Sequence, residues 1–414
     1  MNHRIAVVGA GMVGLSTAWF LQERGAEVTV VDKTGPAAGS SWGNAGWITP
    51  TLSTPLPEPS VLAYGIRNLV KPSSPVYVQP AADPGLAAFL ARFARNSTAK
   101  RWRIAMEKLI RINRHALDAF DALTDAAPEL AQHIHPAEPF IVGYADPSET
   151  ETLLAEGRQI SAAGQHVEID RLPIGEARAM APMLSPNVRA ALSLRGQRYV
   201  DPGGFVAALA DSVTARGGTV RGDATVTDVR DRGRSVALTG NGIEEEFDTV
   251  VLADGAALGA LARPFGVRAQ VRPGRGYSFS VAVEHAPPGP LYFPTARVAC
   301  TPIGDRMRVA GMMEFRPHDA PLDPRRIKAI VESVRPLLQG VDLDDRCDEW
   351  VGSRPCTADG LPLIGVTRSP RVYVAGGHGM WGMTLGPATG QLVAEAVDKA
   401  STPPDDIADF DPLR

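Results

Sequence analysis

Cysteine, charge imbalance and long apolar runs are all scarce in this chain of 414 residues. Its three cysteines, Cys300, Cys347 and Cys356, form an odd, sparse set, which excludes a disulfide framework and favours a reducing compartment. Lysine plus arginine total 42 against 46 aspartate plus glutamate, so the basic excess of a general nucleic-acid binder is missing. No apolar run approaches the roughly 20 residues that span a bilayer. We therefore expect a cytoplasmic protein with no nucleic-acid partner.

The remaining composition is that of a folded globular protein. Hydrophobic residues make up 44% and charged residues 21%, which excludes disorder for most of the chain. The 41 glycines and 35 prolines predict many short turns. At this length a single core has usually stopped growing, so two domains are expected.

The first 32 residues follow the order strand, glycine turn, helix, strand and acidic residue. Residues 5–8 are a β-branched run, and residues 9–14 hold three glycines. A helical pattern over residues 15–24 is followed by a second β run, residues 28–31, which ends at Asp32. With all the parts in register, this order predicts a dinucleotide-binding site.

Each residue of this fingerprint has a physical role. Gly9 permits the tight turn, Gly11 lets the backbone approach a pyrophosphate, and Gly14 lets the helix lie close to the strand. Asp32 can accept hydrogen bonds from the adenosine ribose and disfavours the 2′-phosphate of NADP. The fingerprint alone does not separate NAD from FAD.

Further elements follow from periodicity. Residues 84–130 are helical, and residues 219–236 are strand-like. Residues 247–252 and 371–375 are two more buried strands that end in glycine turns, and a helix is predicted over residues 386–397. One helical face is predicted to carry Trp102, Met106, Leu109, Asn113, Ala116, Phe120 and Leu123.

Two segments have unusual composition. Residues 49–59 are proline-rich, which predicts an extended path out of the nucleotide-binding domain. Residues 92–114 carry eight lysines or arginines and one acid, Glu107. A solvated helix face is the favoured interpretation of this basic stretch, and a contact with a membrane surface or a redox partner is the alternative.

Four separated blocks make the chain resemble a known family. They are the fingerprint ending at Asp32, residues 40–46, residues 352–365 and residues 377–384, and residues 272–278 add a fifth similarity. Together they resemble the FAD-dependent D-amino-acid oxidase superfamily, especially its bacterial D-amino-acid dehydrogenase branch, and also glycine oxidase. The resemblance spans nearly the whole chain and favours FAD over NAD.

The resemblance implies an α/β fold (α+β overall). A glutathione-reductase-like, FAD-binding Rossmann domain would be interleaved with a substrate domain built on an antiparallel sheet. Residues 1–50, 196–265 and 346–414 would form the FAD-binding domain. Residues 51–195 and 266–345 would form the substrate-binding domain.

The resemblance also implies a substrate site. Arg354 matches the arginine that binds the substrate carboxylate, a role suited to its planar fork of donors; the alternative is a structural arginine paired with an acid. Met380 would offer its carbonyl to the substrate amine. Tyr277 is a candidate second carboxylate contact, and the alternative is a core tyrosine. His378 is more consistent with backbone packing than with a general base.

The implied cofactor is FAD, with no metal. Val226 would meet the adenine ring and Gly255 the ADP moiety, with the Asp254 side chain pointing away from the pyrophosphate. The position at which some relatives attach flavin through cysteine falls near Gly352, not Cys356, so the FAD is expected to be non-covalent. The implied cofactor-binding residues are Gly9, Gly11, Met12, Val13, Gly14, Asp32, Lys33, Ser40, Ser41, Asn44, Ala45, Gly46, Val226, Ala253, Gly255, Gly352, Gly379, Met380, Trp381, Gly382, Met383 and Thr384.

The implied activity is oxidation of a D-amino acid by hydride transfer to flavin N5. The imino acid formed would hydrolyse to a 2-oxo acid and ammonia, and the electron acceptor would be oxygen, a quinone or another redox partner. A secondary amine such as sarcosine, D-proline or hydroxyproline is the alternative substrate. An NAD-dependent dehydrogenase and a non-enzymatic flavoprotein interaction module are the alternatives of other classes. The location would be cytoplasmic, with a peripheral contact to the inner membrane face as an open alternative.

Overall fold

The computed structural model describes residues 3–59, 76–78, 83–399 and 405–414. Its strands are β1 (Arg4–Val8), β2 (Glu27–Val31), β3 (Trp47–Ile48), β4 (Val76–Val78), β5 (Ile134–Pro136), β6 (Phe140–Tyr144), β7 (Ile169–Leu172), β8 (Ala190–Leu194), β9 (Arg198–Val200), β10 (Thr219–Arg221), β11 (Thr225–Asp231), β12 (Val236–Asn241), β13 (Ile243–Phe247), β14 (Thr249–Leu252), β15 (Val271–Val283), β16 (Leu291–Phe293), β17 (Val298–Ile303), β18 (Arg306–Phe315), β19 (Val341–Thr357), β20 (Leu363–Val366) and β21 (Val372–Gly376). Its α-helices are α1 (Met12–Glu23), α2 (Pro84–Asn96), α3 (Ala99–Asn113), α4 (Ala116–Ala126), α5 (Thr150–Ala162), α6 (Ile174–Met180), α7 (Pro202–Ala215), α8 (Leu258–Ala262), α9 (Pro324–Val334) and α10 (Gly382–Lys399).

A six-stranded sheet gathers strands from distant parts of the chain in the order β10, β2, β1, β14, β21, β20. All neighbours are parallel except β20, which lies antiparallel on the edge. Its residues are buried on both faces: Val7 and Val251 pack towards α1 and α10, whereas Val8 and Leu252 pack towards β11–β13. Burial on both faces explains the uninterrupted apolar runs of these strands.

Helices α1 and α10 cross at two glycines. A Cβ on Gly386 would lie 2.7 Å from Met12 Cγ, and a Cβ on Gly390 would lie 2.6 Å from the carbonyl carbon of Ser16. Only glycine allows this approach, because any side chain there would meet the backbone of α1 or the base of the Met12 side chain. The two helices are therefore fixed against each other near their N-termini.

A nine-stranded sheet has the order β19, β15, β18, β17, β16, β6, β8, β7, with β4 also paired to β18. Its pairs are antiparallel, except for β16 with β6 and β18 with β4. Residues Phe279, Val309 and Ile330 form part of a core that one face of this sheet shares with α9. Mixed α/β architecture with a parallel sheet and a mainly antiparallel sheet confirms the predicted fold class.

The predicted helical stretch is confirmed as three helices, α2 to α4. Thr98 caps the second of them, since its side chain accepts a hydrogen bond from the backbone N–H of Arg101. The predicted C-terminal helix begins four residues early, at Gly382, so that Pro387 lies inside it. The extended path predicted for residues 49–59 is wrong for Pro50–Leu52, which form a short 3₁₀ turn.

The basic stretch lies on α2 and α3. Trp102 and Met106 are buried while the basic side chains face outward, and Lys108 and Arg111 pair with Asp409 at 3.0 and 3.2 Å. This amphipathic arrangement is that of a solvated helix face. Among the described residues, no helix combines the length and the apolar character needed to cross a bilayer.

Candidate active site

The glycine turn after β1 is packed against the end of β14. Gly9 has a φ of +112°, and a Cβ there would lie 2.4 Å from the carbonyl oxygen of Ala253. A Cβ on Gly14 would lie 1.9 Å from the carbonyl oxygen of Gly9. The turn and the start of α1 therefore tolerate no side chain at these two positions, and the surface there is formed by backbone.

Asp32 is fixed at the end of β2 by backbone donors. Its Oδ2 accepts a hydrogen bond from the Ala10 N–H at 2.9 Å. Its Oδ1 accepts from the N–H groups of Thr34 and Gly35 at 2.9 and 3.0 Å. The carboxylate thus lies beside the glycine turn with its orientation set, whereas the neighbouring Lys33 is exposed.

Residues 40–46 form a loop, called here the cofactor loop, that begins beside α1. The Ser41 Oγ accepts a hydrogen bond from the Met12 N–H at 3.2 Å, so it serves the first turn of that helix. The Asn44 Oδ1 accepts from the Gly46 N–H at 2.8 Å, and Gly46 has a positive φ of 76°. The loop therefore has a defined conformation at the N-terminus of α1.

The cofactor loop also joins the two sheets. Three hydrogen bonds connect it to strands β15, β17 and β19 of the nine-stranded sheet. They run from Ser278 Oγ to the Gly43 carbonyl (2.8 Å), from Thr301 Oγ1 to the Ala45 carbonyl (2.7 Å), and from Ser40 Oγ to the Ser353 carbonyl. A segment that contacts the glycine turn on one side thus contacts the second sheet on the other.

Trp350 lies beside the cofactor loop and was not among the residues predicted from the sequence. A Cβ on Gly43 would lie 2.1 Å from its indole ring, and a Cβ on Gly352 would lie 1.9 Å from it. The indole therefore occupies a slot between the cofactor loop and the following part of β19. Gly43 and Gly352 were the available signal, because a glycine in a strand or loop often marks the close approach of a bulky group.

The turn after β14 carries a half-buried acid, Asp254. Gly255 has a φ of +62°, and Ala253 packs on the glycine turn. The Asp254 residue is part-exposed, but its Oδ1 is buried and, within the described chain, has no hydrogen-bond partner. Burial raises the pKa of Asp254 to about 7, and the nearby charge of Asp32 adds to this shift. On β11, Val226 lies at a register shift in the antiparallel pairing with β12.

Arg354 lies where β19 passes β15, with its guanidinium against bare backbone. A Cβ on Gly276 would lie 2.2 Å from the guanidinium carbon. One nitrogen donates to the Met312 carbonyl at 2.8 Å, and burial lowers the pKa of Arg354. Over the described ranges, no aspartate or glutamate oxygen lies within 4.0 Å of it. The alternative of a structural arginine paired with an acid is therefore wrong within those ranges.

The glycine–histidine–glycine turn after β21 is held beside Arg354. Gly377 and Gly379 have φ values of 75° and 57°. The Gly379 N–H donates to the Pro355 carbonyl at 2.9 Å, and His378 pairs with Cys356 as an isolated bridge. Met380 follows at once, so the structure brings together two of the three predicted substrate-site residues. A small cleft here is lined by Leu56, Cys356, Thr357, Gly360, Gly377, His378, Gly379, Met380 and Trp381.

The segment from Trp381 to Thr384 is fastened to the chain that leaves the cofactor loop. The Trp381 Nε1–H donates to the Thr54 carbonyl at 2.7 Å. The Thr384 Oγ1 donates to the Trp47 carbonyl at 3.0 Å. Gly382 begins α10, and the next residue, Met383, is buried. A Cβ on Gly382 would lie 4.0 Å from Val13 Cγ2, so the N-termini of α1 and α10 are neighbours. The predicted cofactor-binding residues of the glycine turn, the cofactor loop and the start of α10 thus lie close together.

Tyr277 does not lie in this site, and the expectation of a second carboxylate contact is wrong. Its side chain is 1% exposed, and its hydroxyl donates to Glu314. Side chains alternate along a strand, so Tyr277 points to the face opposite Gly276, against which Arg354 lies. The core interpretation of this tyrosine is the correct one.

Sequence reasoning also missed a buried charge cluster on that opposite face. Glu314, Arg275 and Arg326 are each no more than 1% exposed. The carboxylate of Glu314 lies 3.4 Å from Arg275 and 3.7 Å from Arg326, and Arg316 approaches it at 3.8 Å. The alternation of Gly274 and Gly276 with Arg275 could have indicated two faces of different chemistry. The acid partner, distant in sequence, gave no signal.

His378 is a packing residue, as expected. Its Nε2 lies 2.8 Å from Thr389 Oγ1, and its Nδ1 is buried without a partner in the described chain. Burial lowers the pKa of His378 to about 4. The side chain is therefore neutral near pH 7 and does not titrate across the physiological range.

This shift predicts a loss of stability in mild acid. Because the folded pKa lies below the ordinary value of 6.5, protons bind preferentially to the unfolded chain. Neutral His378 makes its full contribution to the free energy of unfolding above pH 6.5, and this contribution is lost as pH falls towards 4. About 2 kcal/mol is lost between pH 7 and pH 5. Urea unfolding of the wild type and of His378→Gln at both pH values measures it. An equal pH dependence in the two proteins would contradict this assignment.

The glycine turn gives a second prediction. Gly14→Ala places a methyl group against a carbonyl oxygen, a clash of about 1–3 kcal/mol that should weaken cofactor binding about 10- to 100-fold. Titration of the apoprotein with cofactor, followed by fluorescence, measures this. Gly259→Ala is the matched control, because a Cβ there meets nothing within 4 Å. Equal affinity of the two variants for the cofactor would contradict the assignment of the glycine turn to cofactor binding.

Fold and site together define a dinucleotide-binding oxidoreductase. The family model described as "FAD dependent oxidoreductase" (DAO) matches residues 4–396, and the chain belongs to this family. The cradle of glycines, the amides at the start of α1 and Asp32 fit the nucleotide and pyrophosphate of FAD. The protein is therefore an enzyme that uses FAD as its cofactor and oxidises amino acids or amines.

Similar proteins include enzymes that are named for different amino acids. A D-amino acid dehydrogenase of Agrobacterium fabrum is 28% identical over 402 residues, 95% of either chain. The structure of glycine oxidase from Geobacillus kaustophilus superposes with a TM-score of 0.74 at 22% identity, covering 100% of this chain and 99% of that one. L-proline dehydrogenase from P. horikoshii gives 0.72 at 18% identity, covering 100% and 97%. Both of these solved structures have the same fold as this protein.

Proposed function

We propose that this protein catalyses the FAD-dependent oxidative deamination of D-amino acids to 2-oxo acids and ammonia. The observation that carries the proposal is the Arg354 guanidinium, which is half-buried beside Met380 and lacks an acidic partner in the described ranges. A half-buried guanidinium with no carboxylate partner among the described residues is suited to a carboxylate ligand. The similarity to a D-amino acid dehydrogenase supports the D configuration.

Two groups would orient the substrate. Arg354 would bind its carboxylate through the two nitrogens of the fork, and Gly276 leaves the room for this. The Met380 carbonyl would accept a hydrogen bond from the neutral amine. Positioning of this kind supplies much of the rate enhancement in such a reaction. FAD, when bound, supplies the two-electron acceptor for the hydride that leaves the α-carbon.

No side chain is assigned as a general base. His378 is directed to Thr389 and stays neutral, so it is unsuited to collect the amine proton. Binding of the amine in its neutral form makes a dedicated base unnecessary. Burial raises the pKa of the Cys356 thiol to about 12, which favours a non-covalent FAD because the thiolate is the reactive form.

The electron acceptor follows as part of the proposal. It would be oxygen, or a quinone or other redox partner, and the cytoplasm would be the location. The exposed basic face of α2 and α3 offers a surface for an anionic membrane, which is how a peripheral contact would form.

Anaerobic mixing of the purified holoenzyme with D- and L-amino acids and N-methyl amines tests this function. Bleaching of the oxidised-flavin absorbance by D-amino acids is the expected result, and admission of air then separates an oxidase from a dehydrogenase. Bleaching only by secondary amines would replace the proposal with the sarcosine or proline alternative. A flavin that no amine bleaches would overturn it.

A further inference from the structure

One group of polar side chains beside the candidate active site has no role in the proposed reaction. Tyr144 ends β6, Tyr292 lies on the neighbouring strand β16, and Arg297 is in the turn after it with a φ of 52°. Glu156 lies on α5. Glu58, from the segment after the cofactor loop, is the fifth member. These five residues are called here the side-chain wall.

The side-chain wall adjoins the predicted flavin segment. The Trp47 ring lies edge-to-face with Tyr292 at 5.3 Å, and the Trp47 carbonyl holds Thr384. Thr54 Oγ1 donates to Glu58 Oε1 at 3.3 Å, while the Thr54 carbonyl holds the Trp381 indole at 2.7 Å. Two independent connections therefore place the wall next to the segment that would contact the cofactor.

Four of these groups have polar ends without protein partners. In the described ranges, the side chains of Tyr144, Glu156, Tyr292 and Arg297 make no hydrogen bond or ion pair, although Tyr144 is only 3% exposed. They are absent from the set of fully buried atoms that lack partners, so their polar ends reach accessible space. Convergent polar groups left unpaired by their own protein are typical of a ligand pocket.

The charges favour a cation. Glu58 repels Glu156, and Arg297 attracts it. Burial, with the charge of Glu58 adding to it, raises the pKa of Glu156 to about 7, although Arg297 lowers it. A nearby cation would relieve that repulsion, and the Trp47 and Tyr292 rings add aromatic surfaces of the kind that attract ammonium and guanidinium groups.

We propose that the side-chain wall receives the side chain of the substrate and selects D-amino acids that end in an ammonium or guanidinium group. This inference rests on the proposed function, because it presumes that Arg354 and Met380 hold the α-carboxylate and α-amine. Glu156 and Glu58 would bind the distal cation, and the tyrosine oxygens would accept its remaining hydrogen bonds.

The test compares D-lysine with D-norleucine, which has the same chain length without the terminal amine. Anaerobic flavin reduction of the holoenzyme is followed at several concentrations of each substrate. We expect kcat/KM to favour D-lysine by about 10-fold or more, the size of one charge-assisted contact. Glu156→Gln and Glu58→Gln should each lower that ratio about 10-fold. D-glutamate should be a poor substrate of the wild type.

Glu151→Gln is the matched control. It makes the same charge change on α5, but Glu151 is exposed and pairs with Arg171, so the ratio should stay that of the wild type. Equal use of D-lysine and D-norleucine, or a ratio unchanged in both Glu156→Gln and Glu58→Gln, would overturn the inference while leaving the proposed function standing. Reduction by no D-amino acid would overturn both.

Discussion

Arg354→Ala should lower kcat/KM for the D-amino acid that the enzyme prefers roughly 10³-fold while FAD stays bound. The guanidinium is the only charged group that the proposal assigns to the α-carboxylate. Two charge-assisted hydrogen bonds contribute about 1.5–3 kcal/mol each, so their loss corresponds to a factor of this order. The measurement is the concentration dependence of anaerobic flavin reduction, with the flavin content of each preparation taken from its visible spectrum.

Two further variants sharpen the experiment. Arg354→Lys keeps the charge but loses the planar fork, so an intermediate loss is expected. Arg335→Ala removes an arginine that pairs with Asp344 on the surface and should leave kcat/KM as in the wild type. An Arg354→Ala enzyme that retained full turnover would place the carboxylate site elsewhere in the protein.

Glu314→Gln should lower the free energy of unfolding by about 3–5 kcal/mol. The substitution preserves shape but removes the negative charge that lies 3.4 Å from Arg275 and 3.7 Å from Arg326. Loss of one partner from a buried ion pair is costly in a medium of low dielectric constant, which accounts for the size of the loss. Urea denaturation of the holoenzyme at pH 7 measures it.

Two comparisons give this measurement its meaning. Glu332→Gln breaks an exposed pair with Lys328 and should change stability by less than about 0.5 kcal/mol. Tyr277→Phe removes only the hydroxyl that donates to Glu314 and should leave kcat/KM within about threefold of the wild type. A Glu314→Gln protein as stable as Glu332→Gln would show that the cluster contributes little, and a large loss of turnover in Tyr277→Phe would return that residue to the site.

The nucleotide half of the site could be predicted because its signal is local. Residues 9–14 and Asp32 lie within one strand–helix–strand unit, and each glycine has a steric reason that sequence spacing expresses. The structure places them as expected, with a Cβ on Gly9 or Gly14 meeting backbone oxygen. The assignment of particular atoms of FAD to these residues stays a prediction, as do the domain boundaries.

The substrate half was harder because its contacts are distant in sequence. Tyr277 was assigned from its place in a block, although a single-residue step along a strand changes the face. The Gly276 position, not Tyr277, marks the side on which Arg354 lies. The side-chain wall combines Glu58, Tyr144 and Arg297 from three separate parts of the chain, and no periodicity connects them.

The three hydroxyl-mediated links of the cofactor loop have a consequence for how this enzyme can diversify. They attach to β15, β17 and β19, whereas Tyr144, Glu156, Tyr292 and Arg297 of the side-chain wall come from β6, α5 and the β16 hairpin. None of these four side chains contributes an atom to the three hydrogen bonds. Under the proposed role of the wall, substitutions at these four positions can therefore change the substrate range while the cofactor loop stays attached to the nine-stranded sheet.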